Sequence, residues 1–403
     1  MNIYKRLHLT QRPVGSLVGF ALSLLIPSTA IIQKYLGIVG VVVYIAIASL
    51  VLLIGYRYIF TRFALMVTDK QVLWLTAATF LFLLAVFFVV YPLANSGIFG
   101  KGSDRDEGLN IVTTEFLRGH YPYYALTYLG HHIDTLPGSW VLALPFVLLG
   151  NSAYQNLFWL FAFLFTMNSY LKNRRLALLL LWVIIALSPI VLHEYVTGGD
   201  FLANPIFVLL FVMWMVNVIP KDGFSGWGNS LLAVLLGVGL ASRANFAMLL
   251  PLVFSALVQR AGWKSATKYV LITCMTLGLM TIPYYLYDPQ GFSPLYMQNK
   301  ASQFESVLPF AGILVPMVTG IIALILSLHH ANGNMHVLLR NCAIVLAFPV
   351  LSGTILKSIM TGKPDFVFTG YGLSFLFFGA ISFWPVLVGD NASIAAKHRV
   401  GVS

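Results

Sequence analysis

Apolar runs of about 20 residues, each long enough to cross roughly 30 Å of hydrocarbon, recur along this chain. They predict helices at 14–32, 36–56, 72–92, 152–171, 176–193, 201–219, 269–287, 307–328, 338–356 and 366–388. A shorter pair lies at 229–241 and 246–259, and its polar turn carries Ser242, Arg243 and Asn245. The expected fold is all-α: a polytopic transmembrane helical bundle of about 12 membrane helices, forming one domain over 1–403 without a separate soluble domain. One stretch breaks the apolar pattern. Residues 103–140 are a polar island within a predicted outer loop at about 96–151. A helix is expected from about Asp106 to Arg118, ended by Gly119 and Pro122, and a second begins near Pro137 and Gly138. The apolar stretch from Gly138 to Gly150 is too short to span, so it reads as a helix lying along the outer interface.

Composition sharpens this reading. The chain is 59% hydrophobic and 9% charged, against about 25% charged in soluble domains. Val14 to Ile32 lacks a small-residue cleavage site and leads straight into the next span, so it reads as a retained helix. With the N-terminus inside, most of the 24 Lys and Arg fall in cytoplasmic loops. Of the 13 acids, only Asp69, Asp222 and Asp390 join them there. The net charge of +11 therefore reports orientation and not nucleic-acid binding. Cys274 and Cys342 sit in apolar runs and read as small core residues. Asn391 and Ser393 match a glycosylation sequon on the inner side, where the match is coincidental.

The outer loops hold the candidate chemistry. Asp104, Asp106 and Glu107 open a helix, whose N-terminus favours ionised carboxylates suited to general-base work on a hydroxyl; the plainer reading is a solvated N-terminal turn. Arg243, set at membrane depth, suits a lipid phosphate through its two-pronged donor geometry, or else an ion pair with Asp200. Tyr123 stands in a run of tyrosines with Tyr121, Tyr124 and Tyr128 that fits an aromatic wall or an interfacial anchor. His131, His132 and Asp134 lack helical ligand spacing, so no metal site is expected and the three read as substrate contacts. Glu194 and Asp200 form a second outer patch beside His193, and Asn245 completes the substrate-binding candidates. The loop with Asp288, Lys300 and Glu305 is long enough to act as a lid.

At this point a resemblance enters. Asp106, Glu107 and Gly108, then Gly119 to Tyr123, then Pro137 to Trp140 and Leu148 to Gly150 resemble the first outer loop of the GT-C integral membrane glycosyltransferases, a group that includes protein O-mannosyltransferases and the aminoarabinose transferases of lipid A. The segment from Gly239 through Arg243 to Pro251 is similar to that family's short helix pair. The resemblance implies a membrane glycosyltransferase, a hexosyl- or pentosyltransferase of the cell envelope, seated in a bacterial inner membrane with its site on the outer face. Sugar would pass from a polyprenyl-phosphate donor to a glycan, lipid or protein acceptor, with inversion and without a cofactor. Asp106 would be the base, with Asp104 its rival. Relatives carry a lysine just before the Pro-Gly step; Thr135 and Leu136 stand here, leaving the donor phosphate to Arg243 or a histidine. The alternative is a polytopic transporter or lipid flippase, which would show repeated halves and mid-membrane charges.

Overall fold

A computed structural model describes residues 13–96, 98, 103–218, 226–295, 302–329 and 331–400; Asp222 and Lys300 lie outside them. Among these residues every regular element is a helix, apart from an isolated bridge between Leu126 and His132. The helices are α1 (Pro13–Leu25), α2 (Thr29–Ile54), α3 (Phe60–Met66), α4 (Asp69–Asn95), α5 (Arg105–Leu117), α6 (Pro137–Leu148), α7 (Gln155–Leu171), α8 (Arg174–Leu187), α9 (Pro189–Val196), α10 (Asp200–Val218), α11 (Trp227–Leu240), α12 (Leu250–Tyr287), α13 (Ala311–Ser327), α14 (Met335–Thr361) and α15 (Leu373–Val400). All twelve apolar segments read from the sequence fall on helices.

By length and composition, however, the described residues hold 6 helices able to cross a membrane, or up to 8 when each bent pair counts as one span. Two causes reduce the expected dozen. Val14–Met66 and Ala244–Tyr287 each run through two of the expected segments with no loop between them; the helices on either side of Gly37 and Gly262 stay distinct, because a positive φ of 67° and 78° interrupts each one in a region open to glycine and costly for other residues. Trp227–Leu240 and Ala311–Ser327 are short apolar helices of 14 and 17 residues.

The core is arranged around α10. Along it, residues from Leu202 to Val216 are almost all buried, and Asp200 at its start is fully so. Helices α2 and α4 instead expose Val39, Val42, Ile47, Leu73 and Phe82, an outward apolar surface suited to lipid and not to water.

The loops gather at two ends. At one end Arg175 bonds Asp69 and the Ala64 carbonyl, and Arg260 bonds the carbonyls of Gly333 and Val216. At the other, Arg105 meets Glu194, Arg243 meets Asp134 and Asp200, and Tyr121 bonds the Tyr284 carbonyl. These are the loops that the charge bias assigned to opposite faces.

Helix α6 turns across the bundle, bent by 101° from the helix that follows it. Its start is fixed by backbone pairing: Gly138 donates to the Ala241 carbonyl at 2.7 Å and Leu136 to that of Ser242 at 3.2 Å. A Cβ at Gly138 would collide with the Val238 carbonyl oxygen and lie 2.6 Å from the Ala241 carbonyl carbon. Glycine is required because two backbones touch. Gly138→Ala should destabilise the fold by about 1–3 kcal/mol, the range for overpacking, seen as a lower midpoint in thermal unfolding in detergent. Gly228→Ala, with nothing within 4 Å of the added carbon, should leave the midpoint unchanged.

Candidate functional site

The polar loops enclose a cavity of about 460 Å³ at the end of the bundle that carries Arg243. That is within the roughly 300–1,000 Å³ of small-molecule pockets. Asp104, Arg105, His131, Asp134, Asp200, Phe201 and Arg243 are on its wall, with Tyr371. These side chains come from α5, the loop before α6, the start of α10, the turn after α11 and the turn before α15.

Arg243 is the junction. Its Nη1 donates to Asp134 Oδ1 at 2.9 Å, and its Nη2 to Asp200 Oδ2 at 2.6 Å. Asp200 Oδ2 also accepts from Asn204 Nδ2 at 2.9 Å. It is an acidic first-turn residue, where the helix N-terminus favours negative charge. The attraction of both carboxylates outweighs the burial that would weaken the charge, and keeps the Arg243 guanidinium firmly protonated. Asp200 Oδ1 and Arg243 Nε are buried without a hydrogen-bond partner.

Phe201 carries two cations. The guanidinium carbons of Arg105 and Arg243 lie 3.9 Å and 4.4 Å from its ring centroid, and Tyr371 meets the ring edge-on at 5.4 Å. Arg105 is also paired to Glu194, whose side chain is almost wholly buried.

Asp104 occupies the N-cap position of α5, yet its side chain makes no cap bond. Its Oδ2 instead accepts from Thr127 Oγ1 at 2.6 Å and pairs with His131 Nδ1 at 2.7 Å. The loop is folded to allow this: Thr127 N–H donates to the His131 carbonyl and Gly130 N–H to the Thr127 carbonyl, with Gly130 at φ 75°.

Asp106 is elsewhere. It is buried, off the cavity wall, and accepts from the Tyr91 hydroxyl and, at 3.4 Å, from Asn95 Nδ2. Two residues along a helix turn through about 200°, so the two acids face in different directions. Burial pushes the Asp106 carboxyl above the usual carboxylate range, although the Tyr91 hydroxyl and the N–H groups of the helix start favour the ion.

The other candidates divide. His132 and Asp134 line the cavity. Glu107 accepts from the Tyr128 backbone N–H at 3.1 Å and does not. Tyr123 is buried and donates to the Thr135 carbonyl, a packing role. Glu194 reaches the site only through Arg105, and Asn245 follows Arg243 along the turn without lining the cavity. Asp288 is held by Tyr124 and by the backbone of Gln290 and Gly291. No group of three or more His, Cys, Asp or Glu among the described residues could hold a metal ion. The sequence reading gave no role to Arg105, Thr127, Phe201 or Tyr371. Adjacency to Asp104 and Asp200 marks two of these, while nothing in the local sequence marks Tyr371.

The chain matches no family model, no curated protein and no solved structure.

Two outcomes follow from these geometries. Arg243→Met strands the buried Asp200 charge and should cost about 3–5 kcal/mol; adding Asp200→Asn should recover part of the loss in chemical denaturation. For Asp106, protonation is easier in the folded chain than in the unfolded one. Its contribution to stability is present below the ordinary carboxylate range and lost as pH rises through its raised value. Asp106→Asn should therefore raise the unfolding midpoint at neutral pH, and this gain should shrink as the medium is acidified into the ordinary carboxylate range.

Proposed function

We propose that this protein is a membrane glycosyltransferase that moves a sugar from a polyprenyl-phosphate donor to a hydroxyl acceptor, with its site on the non-cytoplasmic face of a bacterial inner membrane. The observation that carries this reading is a carboxylate, Asp104, and two arginines, Arg105 and Arg243, on one cavity wall at the end of an apolar bundle. The order of motifs in the loop, similar to the GT-C pattern, supports it. Twelve crossings with the N-terminus inside complete the proposal, and the sorting of the loops into two ends supports that threading.

The chemistry needs few parts. A lipid phosphate leaves readily once its charge is met, so the reaction calls for cations at the phosphate and a proton acceptor at the incoming hydroxyl. Arg243 offers its unpaired Nε edge, and Arg105, one-third exposed, stands across the Phe201 ring. Both cations are already balanced by carboxylates, so the phosphate competes with Asp134, the more exposed partner of Arg243. Asp200 Oδ1 is left to accept from a sugar hydroxyl. Asp104 supplies the negative charge that draws off the acceptor proton; the sequence reading favoured Asp106, which lies off the wall. Attack opposite the phosphate inverts the anomeric centre.

The test uses purified protein in proteoliposomes with a panel of labelled polyprenyl-phosphate hexoses and pentoses and a crude envelope-lipid acceptor fraction. Label should move from donor to acceptor. Asp104→Asn should slow this by about 10²–10⁴-fold, and Asp106→Asn by less than tenfold. Donor crossing the bilayer with its sugar bond intact would instead establish the transporter reading.

A further inference from the structure

We propose that the acceptor's proton is taken by Nε2 of His131, and that Asp104 and Thr127 are positioning residues that set this imidazole for the task. The inference rests on the transferase reading above and identifies which atom of its site meets the hydroxyl.

Three observations lead there. First, Asp104 Oδ2 is already engaged twice, by the Thr127 hydroxyl at 2.6 Å and by His131 Nδ1 at 2.7 Å. Second, an ionised carboxylate only accepts hydrogen bonds, so Nδ1 must carry the proton. The neutral ring then presents a lone pair at Nε2. Third, exposure runs the same way: the Asp104 side chain is 16% exposed and that of His131 67%, and both line the cavity. The group a ligand meets first is the imidazole, with the carboxylate behind it.

The loop holds this arrangement from the backbone as well. His131 N–H donates to Thr127 Oγ1 at 3.2 Å, while the Thr127 hydroxyl donates onward to Asp104. One threonine thus fixes both the backbone under the histidine and the carboxylate behind it. His120 is a useful contrast: it pairs with Glu115 at a similar 2.7 Å and similar exposure, but it is not among the residues that line the cavity.

In the proposed step the acceptor oxygen forms its bond to the anomeric carbon as the bond from that carbon to the phosphate oxygen breaks, and the electron pair leaves with the phosphate. The hydroxyl proton passes to Nε2. The imidazolium is stabilised by Asp104 and then releases that proton to water at the exposed ring edge.

Two measurements test the pair, one without turnover. Carbethoxylation of each histidine by diethyl pyrocarbonate, followed by peptide mapping, reads the reactivity of the ring lone pair. Asp104→Asn should slow modification of His131 several-fold and leave His120 unchanged; equal His131 rates in both proteins would overturn the coupling. In the sugar-transfer assay, His131→Gly should lower kcat far more than it raises KM, and added imidazole should restore activity in that variant only. A His131→Gly protein as active as the parent, or one that imidazole never restores while Asp104→Asn is equally impaired, would assign the proton to the carboxylate itself. Absence of transfer by the parent protein would retire the transferase reading, and the modification rates would still judge the pair.

Discussion

The ion triad of Arg243 with Asp134 and the buried Asp200 is the constraint on which the polar end of this protein depends. Asp200 is fully buried at the start of the central helix, and a charge there is costly unless paired. Arg243 meets that need from the turn between α11 and α12, and its second arm fixes the loop ahead of α6 through Asp134. Three distant stretches of chain are thereby joined by one guanidinium. The backbone contact of Gly138 with Ala241 ties the same turn to the same loop.

Around that junction the site divides labour by burial. One part of the wall holds paired charges, Asp200 and the two arginines gathered on Phe201, with Glu194 behind Arg105. The outer wall holds the Asp104 and His131 pair, open to the cavity mouth. Arrangements of this kind keep ions oriented where water is scarce. Asp106 serves a third purpose. With Tyr91, Asn95 and Asn151 it ties α5 to the last turn of α4 and to the start of α7, so its role is in the frame of the loop.

Much of the architecture was legible in the residues. The apolar runs located twelve helical segments, and Gly119 with Pro122 and the Pro137–Gly138 step located the two helices of the polar loop. The pairing of Arg243 with Asp200 was legible as one of two readings, since a cation at depth needs a bound anion or an internal carboxylate. The span count was less legible, because at Gly37 and Gly262 one helix follows another after only a kink, and because helices of 14 and 17 residues are shorter than the usual crossing of about 20.

The choice between Asp104 and Asp106 was not available from sequence at all. Both acids stand at the same helix start, and a local pattern cannot say which faces the pocket. That depends on where Tyr91 and His131 arrive, from 13 residues before Asp104 and 27 after it. Tyr371 was hidden for the same reason, since an aromatic in an apolar run carries no sign of what it stacks against. The sequence by itself determined the solvent of the fold, its helices and the crowding of acids into one region, because those follow from local composition and periodicity. Only the tertiary structure decided which acid lines the cavity and which cations stand beside it, because such proximity is set by packing between segments far apart in the chain.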